Sequence, residues 1–318
     1  MRKLVIGAAF AIAVTSGGHA YGQDCASRRF IVPYGPGGSG DTTGRLLAQK
    51  LGEIYGQNIV VENMPGAGAI VGTQTVARSA PDACTMTIVV PGIFISRALA
   101  PQPGFDPLED LAGVSLVGKL PILLSVSAKV PVQNLKEFVD WAKKNPASYG
   151  TNGVASVSHL GGSLFGDLAG FKMTHVPYRT GAAALPDVFS GDVTMSIDSM
   201  LIHTLIQGGG ARPLAQTGSR RWPTAPDVPT TVEAGFPDLT IGSWFVVLVP
   251  SKTPADRQAQ LSSALQKVLD MPDVREKLIT FGVDPVGGTP KDTDAFIRRE
   301  VATYTDIVRK AGIKLTAN

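Results

Sequence analysis

The sequence is poor in the residue types from which many active sites are built. Its 318 residues include two cysteines and four histidines, and 7% of them are aromatic. The histidines that follow the N-terminal segment, His159, His175 and His203, do not have metal-ligand spacing. Neither Ser39 nor Ser163 lies in a complete Gly-x-Ser-x-Gly elbow. We therefore expect no catalytic residues, no metal ion and no cofactor.

An excess of charge of one sign is also absent. The chain has 29 basic and 26 acidic residues, and its net charge is +3. Two of the positive charges are Arg2 and Lys3, at the N-terminus. A nearly neutral protein without blocks of like charge makes a poor nucleic-acid binder, so we expect no nucleic-acid partner.

Only the N-terminus has an apolar run that suggests targeting. Arg2 and Lys3 precede an apolar run at 4–14, and small residues follow up to Gly22. This order predicts a secretory signal peptide over residues 1–22, cleaved after Ala20 or after Gly22. The run is too short to span a bilayer comfortably. We therefore expect a periplasmic protein.

The remaining sequence alternates between strand-like and helical patterns. Strands are predicted at Phe30–Pro33, Ile59–Val61 and Thr85–Val90, with helices at Thr42–Tyr55 and Ile70–Ala80 between them. This is the order of a doubly wound α/β sheet. Further strands are predicted at Ile122–Val126, Thr174–Val176, Val193–Ile197 and Trp244–Val249, and further helices at Leu135–Lys144, Ser158–Ala169, Ala182–Ser190, Ala255–Asp270 and Thr293–Ala311. The length allows two domains.

Two glycine-rich turns, each before a helix, are the most informative feature. The first is Tyr34–Asp41, directly after a predicted strand, and the second is Thr151–Leu160. A helix start leaves backbone N–H groups without acceptors and carries the positive end of the helix dipole. Each turn therefore predicts an anion site, and two turns indicate one small anion held from both sides.

The first turn also has a competing interpretation. Gly35-x-Gly37-x-x-Gly40 follows a strand, and Glu62 ends the next strand, as in a dinucleotide-binding fingerprint. A dinucleotide-binding oxidoreductase is therefore one alternative. Against it, an exported protein meets little NAD, and Pro36 stiffens a turn that would have to wrap closely around a pyrophosphate.

Several motifs in one order resemble the Bug-type periplasmic solute receptors of tripartite tricarboxylate transport systems. The resemblance covers essentially the whole chain after the signal peptide. The motifs are Val32–Asp41, Val61–Gly68, Tyr149–Gly153, Ser158–Leu160, Val176–Arg179, Ala225–Thr230 and Glu233–Gly235.

The resemblance implies an α/β, two-lobed periplasmic binding protein of type II-like architecture. Each lobe is expected to be a doubly wound sheet flanked by helices, with residues 24–122 and 247–318 in lobe 1 and residues 123–246 in lobe 2. The ligand, a small organic carboxylate, would lie in the cleft between the lobes. The expected partners are the permease subunits of the transporter, and a monomer is expected. An exported α/β enzyme acting on a small carboxylate is the other alternative.

The resemblance and the two turns together give a set of candidate ligand-binding residues. They are Tyr34, Gly37, Gly38, Ser39, Asp41, Thr42, Thr151, Asn152, Ser156, Ser158, His159, Tyr178, Arg179, Asp198 and Trp244. Some have a structural interpretation as well. Asp41, Ser156 and Ser158 are suitable N-terminal caps. Arg179 suits a solvated surface, and Trp244 suits packing at a crossover between the lobes.

The two cysteines predict a disulfide. Cys25 comes just before the first predicted strand and Cys84 just before the third. In a sheet of flavodoxin-like order these strands are parallel neighbours, so both sulfur atoms would lie at the same edge. An oxidising compartment permits the bond.

Overall fold

The structure is a computed structural model that describes residues 25–99, 104–154 and 156–312. The predicted signal peptide lies outside the described residues. The described strands are β1 Arg28–Val32, β2 Ile59–Asn63, β3 Thr85–Val89, β4 Leu111–Leu120, β5 Ile122–Ser127, β6 Ser148–Thr151, β7 Thr174–Pro177, β8 Met195–Ser199, β9 Ala211–Gln216, β10 Ser243–Pro250 and β11 Asp284–Pro285.

The described α-helices flank these strands. They are α1 Ser39–Tyr55, α2 Ile70–Ala77, α3 Gly92–Leu99, α4 Pro107–Asp110, α5 Leu135–Ala142, α6 Val157–Ala169, α7 Leu185–Ser190, α8 Ile202–Ile206, α9 Ala255–Asp270, α10 Pro272–Thr280 and α11 Pro290–Ala311. Among the described residues, no helix is long and apolar enough to span a membrane.

The strands form two mixed sheets. The first sheet has the order β11-β4-β10-β3-β1-β2 and the second has the order β7-β6-β8-β5-β9. In the first sheet, β1 pairs in parallel with both β2 and β3, whereas β10 runs antiparallel to β3. In the second sheet, β6 is parallel to β7 and β8, and β5 is antiparallel to β8 and β9. Both sheets thus have a parallel part, followed in each case by a strand of opposite direction.

The chain passes between the sheets twice. The first crossover is a single residue, Pro121, between β4 and β5, and the second runs from the end of β9 to Ser243. Ser243 to Val246 therefore pair in the first sheet. The two crossovers are joined, because the Ile122 N–H donates to Thr217 Oγ1 at 2.9 Å and the Thr217 N–H donates to Ile122 O at 2.9 Å.

One apolar cluster extends across the junction of the two sheets. It contains Ile31 and Val246 from the first sheet and Leu124 and Ile197 from the second. Helices α9 and α11 both contact β4, so the C-terminal helices pack against the first sheet. The crossover region is therefore part of a continuous core.

Eight of the described elements are missing from the sequence-based prediction, namely the strands β4, β6, β9 and β11 and the helices α3, α4, α8 and α10. For β4, β9 and α10 the physical reason is clear. Strand β4 contains two glycines, and the backbone of Asp284 passes so close to Gly118 that a Cβ there would lie 2.5 Å from Asp284 O. Strand β9 contains Pro213, which a strand tolerates at the edge of a sheet, where β9 lies. Helix α10 begins at Pro272, one extended residue after α9 ends, so the proline that ends the first helical pattern is also the first residue of a second helix.

The predicted disulfide is confirmed. Cys25 and Cys84 are bonded, and their Cα atoms are 5.8 Å apart. Strands β1 and β3 are parallel neighbours, with Arg29 opposite Thr85, so the bond lies where both strands begin. Because the first glycine-rich turn follows the opposite end of β1, the disulfide lies away from that turn.

We expect loss of the disulfide to lower the free energy of unfolding by about 2–4 kcal/mol, because the cross-link restricts the unfolded chain. The measurement is guanidinium unfolding of the wild type and of the Cys25→Ala/Cys84→Ala variant. Carboxylate affinity should be the same in both proteins, since the bond is remote from the turns. Two free thiols in the denatured protein purified without reductant would contradict the prediction.

Candidate functional site

The first turn joins the end of β1 to the start of α1. Gly37 has a φ of 84°, which few residues other than glycine adopt readily. Gly38 is the N-cap of α1, and none of the described side chains caps the helix. The first N–H groups of α1, including those of Ser39 and Gly40, are therefore available to an external anion.

Asp41 stabilises this turn by hydrogen bonds on its buried side. Its carboxylate accepts hydrogen bonds from the Gly37 N–H at 2.9 Å and from Asn63 Nδ2 at 2.8 Å, and Arg45 Nε lies 3.0 Å away. The residue is only 3% exposed. Burial by itself would raise the pKa of Asp41, but the bonds from Arg45, Gly37 and Asn63 hold the pKa below its usual value. Of the two roles considered for Asp41, this geometry favours the structural one.

Two residues outside the candidate set, Arg45 and Asn63, extend the hydrogen bonds around Asp41. Arg45 donates to Asn63 Oδ1 at 2.7 Å, and Asn63 Nδ2 also donates to Tyr34 O at 3.0 Å. The i,i+4 spacing of Asp41 and Arg45 on one helix was a sequence signal for their ion pair. Asn63 lies inside a motif of the family resemblance, but only the fold brings it to the turn.

The aromatic ring of Tyr34 fixes the turn to the sheet. Its hydroxyl oxygen accepts a hydrogen bond at 2.9 Å from the Val90 N–H, which follows β3. A Cβ on Gly40 would lie 2.7 Å from the Tyr34 ring, so the ring packs directly on the helix start. The Thr42 hydroxyl also bonds internally, to Gly38 O at 3.1 Å.

The second turn joins the end of β6 to the start of α6. Ser156 is the N-cap, and its Oγ accepts from the His159 N–H at 3.1 Å and donates to Gly153 O at 2.7 Å. The Thr151 hydroxyl lies 3.2 Å from the Gly153 N–H. Gly153, with a φ of 118°, is therefore held from both sides.

Two hydroxyls at the helix starts differ from those of Thr42 and Ser156. Ser39 begins α1, and Ser158 lies in the first turn of α6. Within the described part of the chain, neither side chain has a hydrogen-bond partner. Both are therefore able to donate to an anion. Asn152, in the same turn as Ser158, is exposed.

The imidazole rings of His159 and His175 stack beside the second turn. Their centroids are 3.7 Å apart with an interplanar angle of 7°, and His175 Nε2 lies 2.7 Å from Thr151 Oγ1. Burial, followed by the neighbouring His159, lowers the pKa of His175 to about 4. Burial also lowers the pKa of His159. Both rings are thus neutral at pH 7.

The candidate residues of the β7–α7 region have mixed surroundings. The Tyr178 hydroxyl donates to Asp187, and Arg179 is exposed. Asp198, at the end of β8, is 6% exposed, and its carboxyl lies against Gly181, where a Cβ would collide with it. Its Oδ2 atom has no hydrogen-bond partner among the described residues. Burial raises the pKa of Asp198 to about 6, despite the bond from the Ser199 N–H.

Trp244 lies in the core rather than on a binding surface. It is 1% exposed and packs against Phe94 and Phe296, with ring centroids 5.8 Å and 5.5 Å away. This is the crossover packing considered as its structural role, and we do not include Trp244 in the proposed contact set.

The geometry disfavours dinucleotide binding. Glu62, the acidic residue that would hold a ribose, is paired with Arg29 at 2.6 Å. No group of three or more His, Cys, Asp or Glu residues in the described ranges could hold a metal ion. What the two turns offer is a set of neutral hydrogen-bond donors.

The chain is similar to known receptors over most of its length. It matches a family described as "Tripartite tricarboxylate transporter family receptor" over residues 43–313. Protein BugT of Bordetella pertussis is 32% identical over 292 residues, which cover 90% of each chain.

Solved structures share the fold. The periplasmic binding protein BugD is 28% identical with a TM-score of 0.77, and covers 91% of this chain and 98% of its own. The R. palustris protein Rpa4515 with adipate is 33% identical with a TM-score of 0.80 and the same coverage of 91% and 98%. The two-lobed α/β binding-protein fold is therefore confirmed.

We expect Asp198→Asn to stabilise the protein at about pH 8 and to change little at about pH 4.5. The pKa of Asp198 is raised on folding, so the folded state binds the proton more tightly. Stability from this group is present below the unfolded pKa and is lost as pH rises through about 6. The expected gain at about pH 8 is about 3 kcal/mol, measured by thermal unfolding at both pH values.

The matched control is Asp238→Asn, because Asp238 is exposed and lies outside both turns. An equal effect of Asp198→Asn at the two pH values would contradict the assignment of a raised pKa.

Proposed function

The chain belongs to the tripartite tricarboxylate transporter receptor family, and we propose on this basis that it is an exported receptor that captures a small organic carboxylate and delivers it to a membrane permease. The observation that carries the proposal is the helix start of α1, which no side chain in the described ranges caps and which follows a turn held by Asp41. Such a start binds a carboxylate without a basic side chain.

The proposed ligand lies in the cleft between the lobes and contacts both helix starts. From α1 we propose the backbone N–H groups of Gly38, Ser39 and Gly40 and the Ser39 hydroxyl. From the second turn we propose Asn152 and the Ser158 hydroxyl. Closure of the lobes about the two crossovers would exclude water and present the loaded receptor to the permease.

In the proposed site, neutral hydrogen-bond donors balance the negative charge of the ligand. Neither 34–43 nor 151–160 contains Lys or Arg. Arg45 lies nearby, but its guanidinium is bonded to Asp41 and Asn63. Hydrogen bonds in a closed cleft are strengthened by the lower local dielectric, so fixed dipoles are sufficient for a carboxylate.

A dicarboxylic acid is the first ligand class to test. Rpa4515, which shares the fold, is described with adipate. The two helix starts offer one donor set for each end of such a molecule. Monomeric state, periplasmic location and partnership with permease subunits belong to the same proposal.

The enzyme alternative has one feature in its favour, a hydroxyl–imidazole pair between Thr151 and His175. Thr151 is 0% exposed, so a substrate could not reach its hydroxyl. Receptors in this family bind and release their ligands, and we propose that this chain does the same without chemistry.

The test is a thermal-shift and calorimetric screen of the mature protein against succinate, adipate, L-aspartate and benzoate. Binding of at least one acid, recovered unchanged by mass spectrometry, is expected, because a ligand of the native state raises the melting temperature. Affinity should change less than about threefold between low and high salt, since no mobile basic patch is involved. Turnover of the acid, or failure of all four to bind, would overturn the proposal.

We expect Ser158→Ala to weaken the tightest-binding acid by about 1–3 kcal/mol, because a buried carboxylate oxygen would lose its donor. The control is Ser263→Ala, an exposed serine on α9. Calorimetric titration of both variants measures the effect. Unchanged affinity of Ser158→Ala, or a steep loss of wild-type affinity in salt, would place the anion elsewhere, with Arg179 the next residue to replace.

A further inference from the structure

We propose that His175, which is not among the candidate ligand contacts, is a positioning residue that holds the second turn in its anion-binding conformation through Thr151. The inference rests on the proposed carboxylate site. It concerns how the β6–α6 turn keeps its donors in place before any ligand arrives.

The hydroxyl of Thr151 links His175 to the turn. Its oxygen lies 2.7 Å from His175 Nε2 and accepts from the Gly153 N–H at 3.2 Å. Its single proton has two possible acceptors, His175 Nε2 and Gly153 O, and the latter is at 3.3 Å. The proposed circuit directs this proton to the shorter contact, so that His175 accepts at Nε2 and carries its own proton on Nδ1.

From Gly153 the contacts continue to the start of α6. Gly153 O accepts from Ser156 Oγ at 2.7 Å, and Ser156 Oγ accepts from the His159 N–H at 3.1 Å. The ring of His159 then stacks on the ring of His175 at 3.7 Å. The contacts form a closed circuit from β7 through the turn and the first residues of α6 back to β7. Ser158 lies between Ser156 and His159 along the chain, so it belongs to the segment that these contacts hold.

The circuit requires a neutral His175. A protonated ring would donate from Nε2, and the Thr151 proton would have to turn to Gly153 O. The titratable groups around the ring are His159 on α6 and Tyr149 on β6, whose ring centroid is 5.1 Å away. Burial and the proximity of His159 keep the pKa of His175 near 4, so it accepts throughout the neutral range.

The burial of Thr151 excludes direct contact between its hydroxyl and a ligand. The Thr151 side chain is fully buried, and its hydroxyl is committed to the turn. In the proposed role, His175 acts on binding through this hydroxyl and the geometry of the turn. Such a role is separable from bulk packing, because the ring face and the Nε2 acceptor can be removed independently.

The first experiment needs no carboxylate. Nitrogen-15 NMR of the imidazole rings should show His175 in the Nδ1–H form at neutral pH, titrating near 4. In Thr151→Val the Nε2 signal should shift towards that of an imidazole without a donor. An Nε2–H tautomer in the wild type would overturn the proposed circuit.

The second experiment separates the acceptor from the ring. His175→Phe keeps a ring against His159 but removes the acceptor, and His175→Gln restores an acceptor without the ring. Using the tightest-binding acid among succinate, adipate, L-aspartate and benzoate, we expect His175→Phe to raise Kd about tenfold and His175→Gln to recover much of that loss. Thermal unfolding shows which variants are folded.

A double-mutant cycle completes the test. If His175 acts through Thr151, His175→Phe combined with Thr151→Val should be no weaker than Thr151→Val alone. Lowering the pH towards 4 should weaken the wild type more than His175→Gln, a comparison that cancels titration of the acid itself. Additive losses in the double variant, or an affinity of His175→Phe equal to that of the wild type, would overturn the inference. If the wild type still binds one of the acids, the proposed function stays intact. A wild type that binds none of the acids instead overturns the proposed function.

Discussion

The structure depends on one constraint, namely that the start of α1 has backbone donors for which the described residues supply no side-chain cap. A carboxylate beside such donors would normally cap them and repel an anionic ligand. Asp41 does neither, because Gly37, Asn63 and Arg45 take up its oxygen atoms on the inner side of the turn. Its charge stabilises the turn, and the donors at the helix start stay uncapped within the described residues.

In the second turn, neutral groups hold the backbone in place at the start of α6. Ser156 satisfies one backbone donor of α6, and Thr151 and Gly153 fix the approach to the helix. Each turn follows a strand in the parallel part of its sheet, where the carboxyl end of the strand leads into the start of a helix. The same arrangement occurs once in each sheet. Two hydrogen bonds between Ile122 and Thr217 join the two crossovers.

The sequence predicted the strongly periodic elements and the positions of the two glycine-rich turns before α1 and α6. Helix α1, the strands β1 to β3 and the disulfide follow from local patterns and from the parallel order of those strands. Strands β4 and β9 escaped prediction because glycine and proline weaken their pattern, and neighbouring strands compensate for that weakness only in the assembled sheet.

The sequence by itself determined the fold class, the export signal that it predicts and the two glycine-rich helix starts, because these depend on residue order over short distances. Only the tertiary structure decided the roles of individual side chains. It turned Asp41 inwards through Asn63, 22 residues away, and buried Trp244 between Phe94 and Phe296. It also brought His175 to Thr151, 24 residues away. A side chain's role depends on the partners that the sheets bring to it, and local sequence carries no record of those contacts.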